Sequence, residues 1–390
     1  MEFRYQPITE ADLDSYVRIE QQAYGSSPDE IRTWFREKLR DLPRGLFRDG
    51  QLVTQLVLYP VEVQTGYNSV PCGAIGSVAT PPEDRRRGYT GRILRAMCDE
   101  LRADRRYMCF LYPFKESFYG QYGWVTSSEV RAYRGEPARF ASFRQDQGRF
   151  VACDADSFAE FDAVYRRALR GRFGPLVRSE HWWRDTVLSS TYRYLWRDDA
   201  GVARAYICYN RREEKDDRVM ACREVVACDP VARGQVFGFI ANHDSQFEAV
   251  KLNAPADAPL NMLLPDPLDC TIGAGPMLRL IDIAEVFTAL RYPADCRGRL
   301  SIAVRDSWLD WNQATYELEV SDGVIACRRQ PYDAAADLCC DVGVLTQLLT
   351  RYLRPRTAAA FGLLEVTQRP ALDLIERLFA GLAPFSSDYY

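Results

Sequence analysis

The segment VATPPEDRRRGYTG, residues 78–91, is the most informative part of the sequence. The residues before it, 73–80, read as a buried strand, and those after it as a helix with one apolar face. That face carries Ile93, Leu94, Met97 and Leu101. Backbone N–H groups and the positive end of a helix dipole converge at such a turn, and Gly88 lets a ligand approach the backbone closely. The segment therefore predicts a pyrophosphate-binding turn.

The three arginines of this turn have a second interpretation, because charge runs are often simply solvated. Arginines at a helix start are electrostatically misplaced unless an anion binds there, which favours a ligand. The turn is not a Walker loop, since no Gly-Lys-Ser/Thr follows. It is not a dinucleotide fingerprint either, since G-x-G-x-x-G is absent.

Composition limits the class of protein. The chain has 390 residues, 47% apolar and 27% charged, which predicts a globular protein of two to three domains. A net charge of -4 argues against broad nucleic-acid binding. The N-terminus lacks the pattern of a signal peptide, and no apolar run approaches the ~20 residues of a membrane span. We therefore expect a cytoplasmic protein with no nucleic-acid partner.

Cysteine and histidine usage argues against a metal site. Most of the twelve cysteines are scattered singly, Cys339 and Cys340 are adjacent, and none forms a C-x-x-C pair. His181 and His243 are the only histidines. We therefore expect no metal, and read most cysteines as small core residues. A Ser-His-Asp or Cys-His mechanism would have to use one of those two histidines, and no G-x-S-x-G turn accompanies either.

Strand and helix patterns divide the chain into three regions. Asp49-Gly50 predicts a hairpin in the first region. The Pro-rich stretch 254–267 has the composition of a linker. A third region opens near Met277 and alternates helices with strands.

Two motifs now give a family resemblance. Arg85-x-x-Gly88-x-Thr90 resembles the R/Q-x-x-G-x-G/A motif of the GNAT acetyltransferases, although Thr90 departs from it. The string FYGQYGW, 118–124, resembles the tyrosine motif of the enhanced intracellular survival (Eis) acetyltransferases. The resemblance implies an α/β (α+β) chain of tandem GNAT folds, each a mixed central sheet flanked by helices, before a sterol-carrier-protein-like α+β domain. It implies a catalytic domain at 1–145, a degenerate GNAT-like domain at 146–280 and the sterol-carrier-like domain at 281–390.

The same resemblance implies acetyl-CoA as cosubstrate and assigns its contacts. Its pantetheine arm would bind the backbone of Val78, Ala79 and Thr80. Phe114 and Lys115 would line the cofactor arm. The residues that would hold the pyrophosphate are Arg86, Arg87, Gly88, Tyr89, Thr90 and Gly91.

The catalytic roles also come from the family. Tyr119, before the first glycine of the tyrosine motif, would be the general acid, and a phenol of pKa ~10 stays protonated at neutral pH. The base would be the C-terminal carboxylate of Tyr390, reaching back into the first domain. A frayed tail is the alternative, in which water or a carboxylate such as Glu116 is the base.

The family typically acetylates primary amines of polyamine-like molecules such as aminoglycosides. Asp29, Trp34 and Glu116 are the candidates for amine recognition, although each could be an ordinary surface or packing residue. A protein lysine is another possible acceptor. The contrasting class is a lipid- or protein-binding scaffold with a CoA-gated GNAT domain. By resemblance we also expect a homo-oligomer, specifically a hexamer.

Overall fold

A computed structural model describes residues 2–143, 146–215 and 217–389. Within these ranges the chain forms three β-sheets and eleven α-helices, none long and apolar enough to cross a membrane. The helices are α1 (Leu13–Tyr24), α2 (Pro28–Trp34), α3 (Tyr89–Ala103), α4 (Glu116–Gly120), α5 (Phe158–Ala168), α6 (Glu180–Trp182), α7 (Pro230–Ala241), α8 (Ile283–Ala289), α9 (Val342–Leu349), α10 (Pro355–Ala360) and α11 (Arg369–Leu378).

The first sheet is mixed and carries the phosphate-binding turn. Its strands are β1 (Phe3–Pro7), β2 (Pro43–Arg48), β3 (Gln51–Thr65), β4 (Ser69–Ala79), β5 (Met108–Leu111), β6 (Val125–Thr126), β9 (Phe173–Leu176) and β15 (Met277–Leu280). The strand order is β1-β2-β3-β4-β5-β15-β6, with β9 added to β3. The hairpin predicted at Asp49-Gly50 joins β2 to β3, and both turn residues have positive φ.

The second sheet is built from later residues. Its strands are β7 (Glu129–Gly135), β8 (Arg149–Ala152), β10 (Tyr192–Arg197), β11 (Ala203–Glu214), β12 (Asp217–Ala227), β13 (Ala249–Pro255) and β14 (Asp269–Ala274), in the order β14-β7-β13-β12-β11-β10-β8. The Pro-rich stretch 254–267, which resembled a linker, instead belongs to the connection from β13 to β14 within this sheet. Leu260 and Leu264 are buried in the core of the sheet, so apolar burial overrides the composition.

The first two sheets exchange strands across the boundaries expected from the sequence. Strand β7 belongs to the second sheet although it precedes residue 145. Strand β15 follows the second sheet in the chain but pairs antiparallel with β5 and β6 of the first. The division at 145 and 280 stays a prediction, and the exchange ties the two sheets into one body.

The third sheet has the order β18-β17-β16-β19-β20. Its strands are β16 (Gly298–Arg305), β17 (Ala314–Ser321), β18 (Val324–Gln330), β19 (Leu338–Asp341) and β20 (Glu365–Val366). One hydrophobic cluster runs from Phe110 and Leu278 in the first sheet to Ile302 and Leu345 in the third region. Because this core is continuous, the third region is packed firmly against the first, which allows the chain's last residues to lie near the first sheet.

Candidate active site

The site begins where β4 extends beyond the end of its parallel neighbour β5. β4 pairs in parallel with β5 only from Gly73 to Ile75, because β5 ends at Leu111 before Pro113. β4 continues to Ala79, and a register irregularity opposite β3 falls at Ser77, whose φ is 49°. The two parallel strands therefore part, and the end of β4 can offer backbone groups to an extended ligand.

The turn after β4 exposes the start of α3. Gly88 is the N-cap residue of this helix, with φ of 76°, and no side chain caps the first turn. No acidic residue lies in that turn, and Arg86 also has positive φ, 61°. A side chain at Gly88 would meet nothing within 4 Å, so its outer side is open. Uncapped N–H groups at an open helix N-terminus favour an anion.

The arginines of the turn differ in how they are held. Arg85 donates from Nε to the carbonyl oxygen of Thr80 at 3.1 Å, which ties the turn to the strand end. Arg87 lies 3.6 Å from Asp84. Arg86 is exposed and makes no hydrogen bond or ion pair within the residues the structure describes. The turn thus carries a cation free to meet a phosphate, and its residues fit a pyrophosphate.

The departure from the GNAT motif at Thr90 has a structural reason. The hydroxyl of Thr90 lies 3.1 Å from that of Thr80, which in turn lies 2.8 Å from that of Thr54. Thr54 also donates to the carbonyl oxygen of Ala79 at 2.9 Å. This chain of hydroxyls fastens the first turn of α3 to the end of β4. The glycine that follows, Gly91, lies against the ring of Tyr122, where a Cβ would come within 3.2 Å.

Tyr119 lies on α4 with only 3% of its surface exposed. Its ring packs edge-on against Phe118 at 5.2 Å and Phe114 at 5.7 Å between centroids. Burial raises the pKa of Tyr119, and the nearby phenols of Tyr24 and Tyr122 raise it further. The hydroxyl is therefore protonated at neutral pH, as a proton donor must be.

Of the other predicted site residues, three lie at the start of α4 or just before it, and two lie on α2. Phe114 is 73% exposed beside Tyr119, and Lys115 is exposed at the N-cap of the same helix. Glu116 lines a separate cavity with Glu129 and Tyr352. Asp29 and Trp34 instead share a cavity between α1 and α2. The structure thus brings two of the three candidate amine-binding residues together and leaves Glu116 elsewhere.

The C-terminal segment lies on the body of the protein as far as Tyr389. Tyr112, directly after β5, donates to the backbone oxygen of Asp388 at 2.7 Å, and its ring lies 4.5 Å from that of Tyr389. Phe385 donates from its backbone to Phe173 at 2.9 Å. The tail therefore reaches the place where β4 and β5 part. Tyr390, the expected base, lies outside the described residues.

A buried charge cluster anchors the tail. The Asp388 carboxylate is fully buried and accepts from Arg178 Nε at 2.9 Å and from Trp182 Nε1 at 2.7 Å. Arg178 also donates to Glu224, which accepts from the hydroxyl of Ser387. Burial alone would lower the pKa of Arg178, but the nearby carboxylates of Asp388 and Glu224 outweigh it and raise the pKa well above its ordinary value, so the guanidinium stays charged. Buried charges persist when paired in this way, and the pairing fixes the tail on the second sheet.

Sequence reasoning missed Glu20, which lines the same cavity as Asp29 and Trp34. Its carboxylate accepts from the hydroxyl of Ser77 at 2.9 Å and from Nε2 of Gln55 at 2.9 Å. The signal was present, because Glu20 lies four residues after Tyr16 on the apolar face of α1. A carboxylate on a buried helix face is rare enough to need a reason.

Three family models match the chain in sequence order. Residues 4–126 and residues 174–280 each match an acetyltransferase (GNAT) domain, and residues 283–387 match a sterol carrier protein domain. The chain is a GNAT acetyltransferase. The predicted fold class, tandem GNAT domains before a sterol-carrier-like domain, is confirmed.

Relatives show which kind of GNAT acetyltransferase it is. The N-acetyltransferase Eis of Mycobacterium tuberculosis (strain ATCC 25177 / H37Ra) is 26% identical over 339 residues, 82% of this chain and 81% of that protein. An uncharacterized N-acetyltransferase of Streptomyces avermitilis is 24% identical over 274 residues, 65% of this chain and 66% of the relative, just under two thirds. This GNAT acetyltransferase is Eis-like, and its assignment as an N-acetyltransferase is confirmed.

Solved structures agree on the fold. A GCN5-related N-acetyltransferase from Anabaena variabilis ATCC 29413 superposes with a TM-score of 0.90 at 22% identity, over all of both chains. The GNAT domains imply the use of acetyl-CoA. In the described parts of the chain no group of three or more His, Cys, Asp or Glu side chains could hold a metal ion.

Proposed function

We propose that this Eis-like enzyme transfers the acetyl group of acetyl-CoA to a primary amine of a small polyamine-like or aminoglycoside-type molecule. The observation that carries the proposal is the meeting of three features at one place. They are the free end of β4, the uncapped start of α3 and the buried phenol of Tyr119. Two tyrosines connect them: Tyr24 donates to the carbonyl oxygen of Val78, Tyr122 lies against Gly91, and both phenols lie near enough to Tyr119 to raise its pKa. Val78 to Thr80 would bind the pantetheine arm, Arg86 to Gly91 the pyrophosphate, and Phe114 and Lys115 the arm near the phenol.

The chemistry is direct attack by the amine on the thioester. The amine nitrogen forms a bond to the carbonyl carbon, the carbon–sulfur bond breaks, and the thiolate leaves. Tyr119 gives its proton to that thiolate, and solvent restores it. Holding both substrates in one cleft supplies proximity, which lowers the barrier by several kcal/mol.

The amine must lose a proton, since an alkylammonium has a pKa of ~10. We propose the terminal carboxylate of Tyr390 as the base that takes it. The docked tail supports this role, because Tyr389 packs against Tyr112 at the end of β5. The buried ion pair between Asp388 and Arg178 supports the role further, because a frayed tail would not form such a pair.

We also propose a cytoplasmic homo-oligomer, a hexamer by resemblance. The edge strand β14 supports an assembly, because all six of its residues are exposed, with Ile272 at 60%. Met262, in the preceding loop, is also largely exposed. An open edge strand beside exposed apolar side chains is typical of a surface that another chain covers.

The rival scaffold function finds less support. A cavity of about 550 Å³ in the third region is lined by charged side chains, among them Arg299, Glu317 and Arg328. A lipid tail needs an apolar lining, because burying unpaired charges against it is costly. The lining therefore favours the enzyme over a lipid carrier.

The experiment is thiol release from acetyl-CoA with a panel of amines: an aminoglycoside, a polyamine and a lysine peptide. We expect release with the first two, together with the acetylated amine in equal amount. Release with the peptide alone would favour a protein lysine acetyltransferase. No release with any amine, despite acetyl-CoA binding, would favour the scaffold.

A further inference from the structure

Glu20 lies between the cavity that Asp29 and Trp34 share and the strand end that we assign to pantetheine. It lines a cavity of about 570 Å³ between α1 and α2. Its carboxylate accepts from Ser77, and one helical turn later Tyr24 donates to the carbonyl oxygen of Val78 at 3.2 Å. Two successive residues of β4 are thus bound from the same face of α1, beside the expected thioester.

The carboxylate has no cationic partner. Its two hydrogen-bond donors, Ser77 and Gln55, are neutral, and neither Lys nor Arg forms an ion pair with it in the described ranges. Gln55 is itself fully buried, and its Oε1 has no hydrogen-bond partner in the same part of the chain. Glu20 is partly buried, and carboxylates that lose water are usually paired with a cation, because burial disfavours the charged form. Burial accordingly raises the pKa of Glu20.

The other acidic residues of the cavity already have a local explanation. Asp29 and Glu30 lie in the first turn of α2, where acids stabilise the helix dipole. Glu30 also completes a capping box with Ser27. Both are exposed to solvent, so their charge is screened. Glu20 is the carboxylate of the cavity that lacks such a role.

We propose that Glu20 is the counter-ion for an ammonium group of the acceptor, and so determines that the enzyme prefers cationic amines. This inference rests on the proposed function, and it adds that the acceptor binds in the cavity between α1 and α2. Bound ammonium supplies the missing charge at the carboxylate, and the orphaned Oε1 of Gln55 can accept a further hydrogen bond through water. Acceptors that carry two or more ammonium groups gain most affinity from Glu20. One ammonium group can stay on Glu20 while another loses its proton and reacts.

A purely structural role is the competing explanation. Glu20 could serve only to hold Ser77 at its positive φ, and thereby shape the end of β4. In that role, Glu20→Gln would weaken the binding of acetyl-CoA and of every amine to the same extent. The counter-ion role affects the amine alone, in proportion to its charge.

The test is Glu20→Gln, which keeps shape and removes charge. We expect calorimetry with CoA present to show spermidine binding weakened about tenfold or more, the size of a lost charge-assisted hydrogen bond. The KM for benzylamine, a cation at neutral pH, should rise by a smaller factor, because its single ammonium group must leave Glu20 and lose its proton to react. The KM for aniline, which is neutral, and for acetyl-CoA should change less than about twofold.

Two controls separate the explanations. Glu37→Gln removes the same charge from an exposed residue outside the cavity and should leave spermidine binding unchanged. Ser77→Ala removes the hydrogen bond and keeps the charge, so the preference for benzylamine over aniline should persist. Equal losses for both amines and for acetyl-CoA in Glu20→Gln, or no loss for spermidine, would overturn the proposal. Spermidine binding that Glu20→Gln weakens, without any turnover in the unsubstituted enzyme, would instead contradict the proposed function and keep only the contact between the ammonium and Glu20.

Discussion

Asp388→Ala tests how the tail contributes to turnover. The substitution removes a fully buried carboxylate together with the hydrogen bonds it accepts from Arg178 and Trp182. Arg178 keeps Glu224 as its partner, so the guanidinium is not left alone in the core. The substitution should therefore mainly weaken the docking of the tail.

The size of that loss follows from the contacts. Breaking a buried ion pair costs about 3–5 kcal/mol when one charge is left unpaired. Because Glu224 still neutralises Arg178, we expect the lower end, about 3 kcal/mol. This corresponds to a roughly hundredfold or greater shift toward the undocked tail. Residues 380–389 belong to no strand or helix, so the sheets should stay folded.

If the tail carries the base, turnover should fall by about 10²-fold, as for loss of a general base. The assay is steady-state thiol release, with acetyl-CoA affinity by calorimetry and a thermal melt of the same samples. Asp373→Ala is the matched control, because it removes an exposed carboxylate that pairs with Arg356 at the surface. Unchanged turnover in Asp388→Ala would refute the tail's role. So would a loss of turnover explained by a lower melting temperature.

Three further changes test other parts of the account. Arg86→Glu should weaken acetyl-CoA binding at least about tenfold, because it places an anion beside the uncapped start of α3. Unchanged affinity by calorimetry would exclude the turn as the pyrophosphate-binding site. A few residues added after Tyr390 should lower turnover while acetyl-CoA binding persists, and a C-terminal tag without effect would exclude the carboxylate as base. Light scattering at micromolar concentration should show a multimer, and Ile272→Asp on the exposed edge strand should dissociate it; a monomeric wild type would contradict the assembly.

The phosphate-binding turn could be predicted because its signals are local. Gly88, the arginines and the apolar face of α3 are all visible within one stretch, and backbone conformation there follows from nearby residues. The hairpin at Asp49-Gly50 was readable for the same reason. Local sequence signals did not explain Thr90. Its identity was explained only once Thr80 and Thr54 lay beside it.

The tail anchor could not be predicted from the sequence. Arg178, Glu224 and Asp388 are far apart in the chain, and each taken alone resembles an ordinary charged surface residue. Only the packing of the third region against the first two sheets brings them together. The exchange of β7 and β15 between sheets was hidden similarly, because sheet partners depend on tertiary packing rather than on the strand's own sequence.

The role of Tyr119 is measured most directly by the single-turnover rate of acetyl transfer in Tyr119→Phe, compared with the rate in Tyr122→Phe. Both substitutions remove one hydroxyl and keep the ring, so the aromatic packing around α4 should survive. We expect a rate about 10²-fold lower in Tyr119→Phe, with acetyl-CoA affinity unchanged, and a nearly normal rate in Tyr122→Phe. A normal rate in Tyr119→Phe, or the slower rate in Tyr122→Phe, would contradict the claim that the phenol of Tyr119 gives its proton to the leaving thiolate.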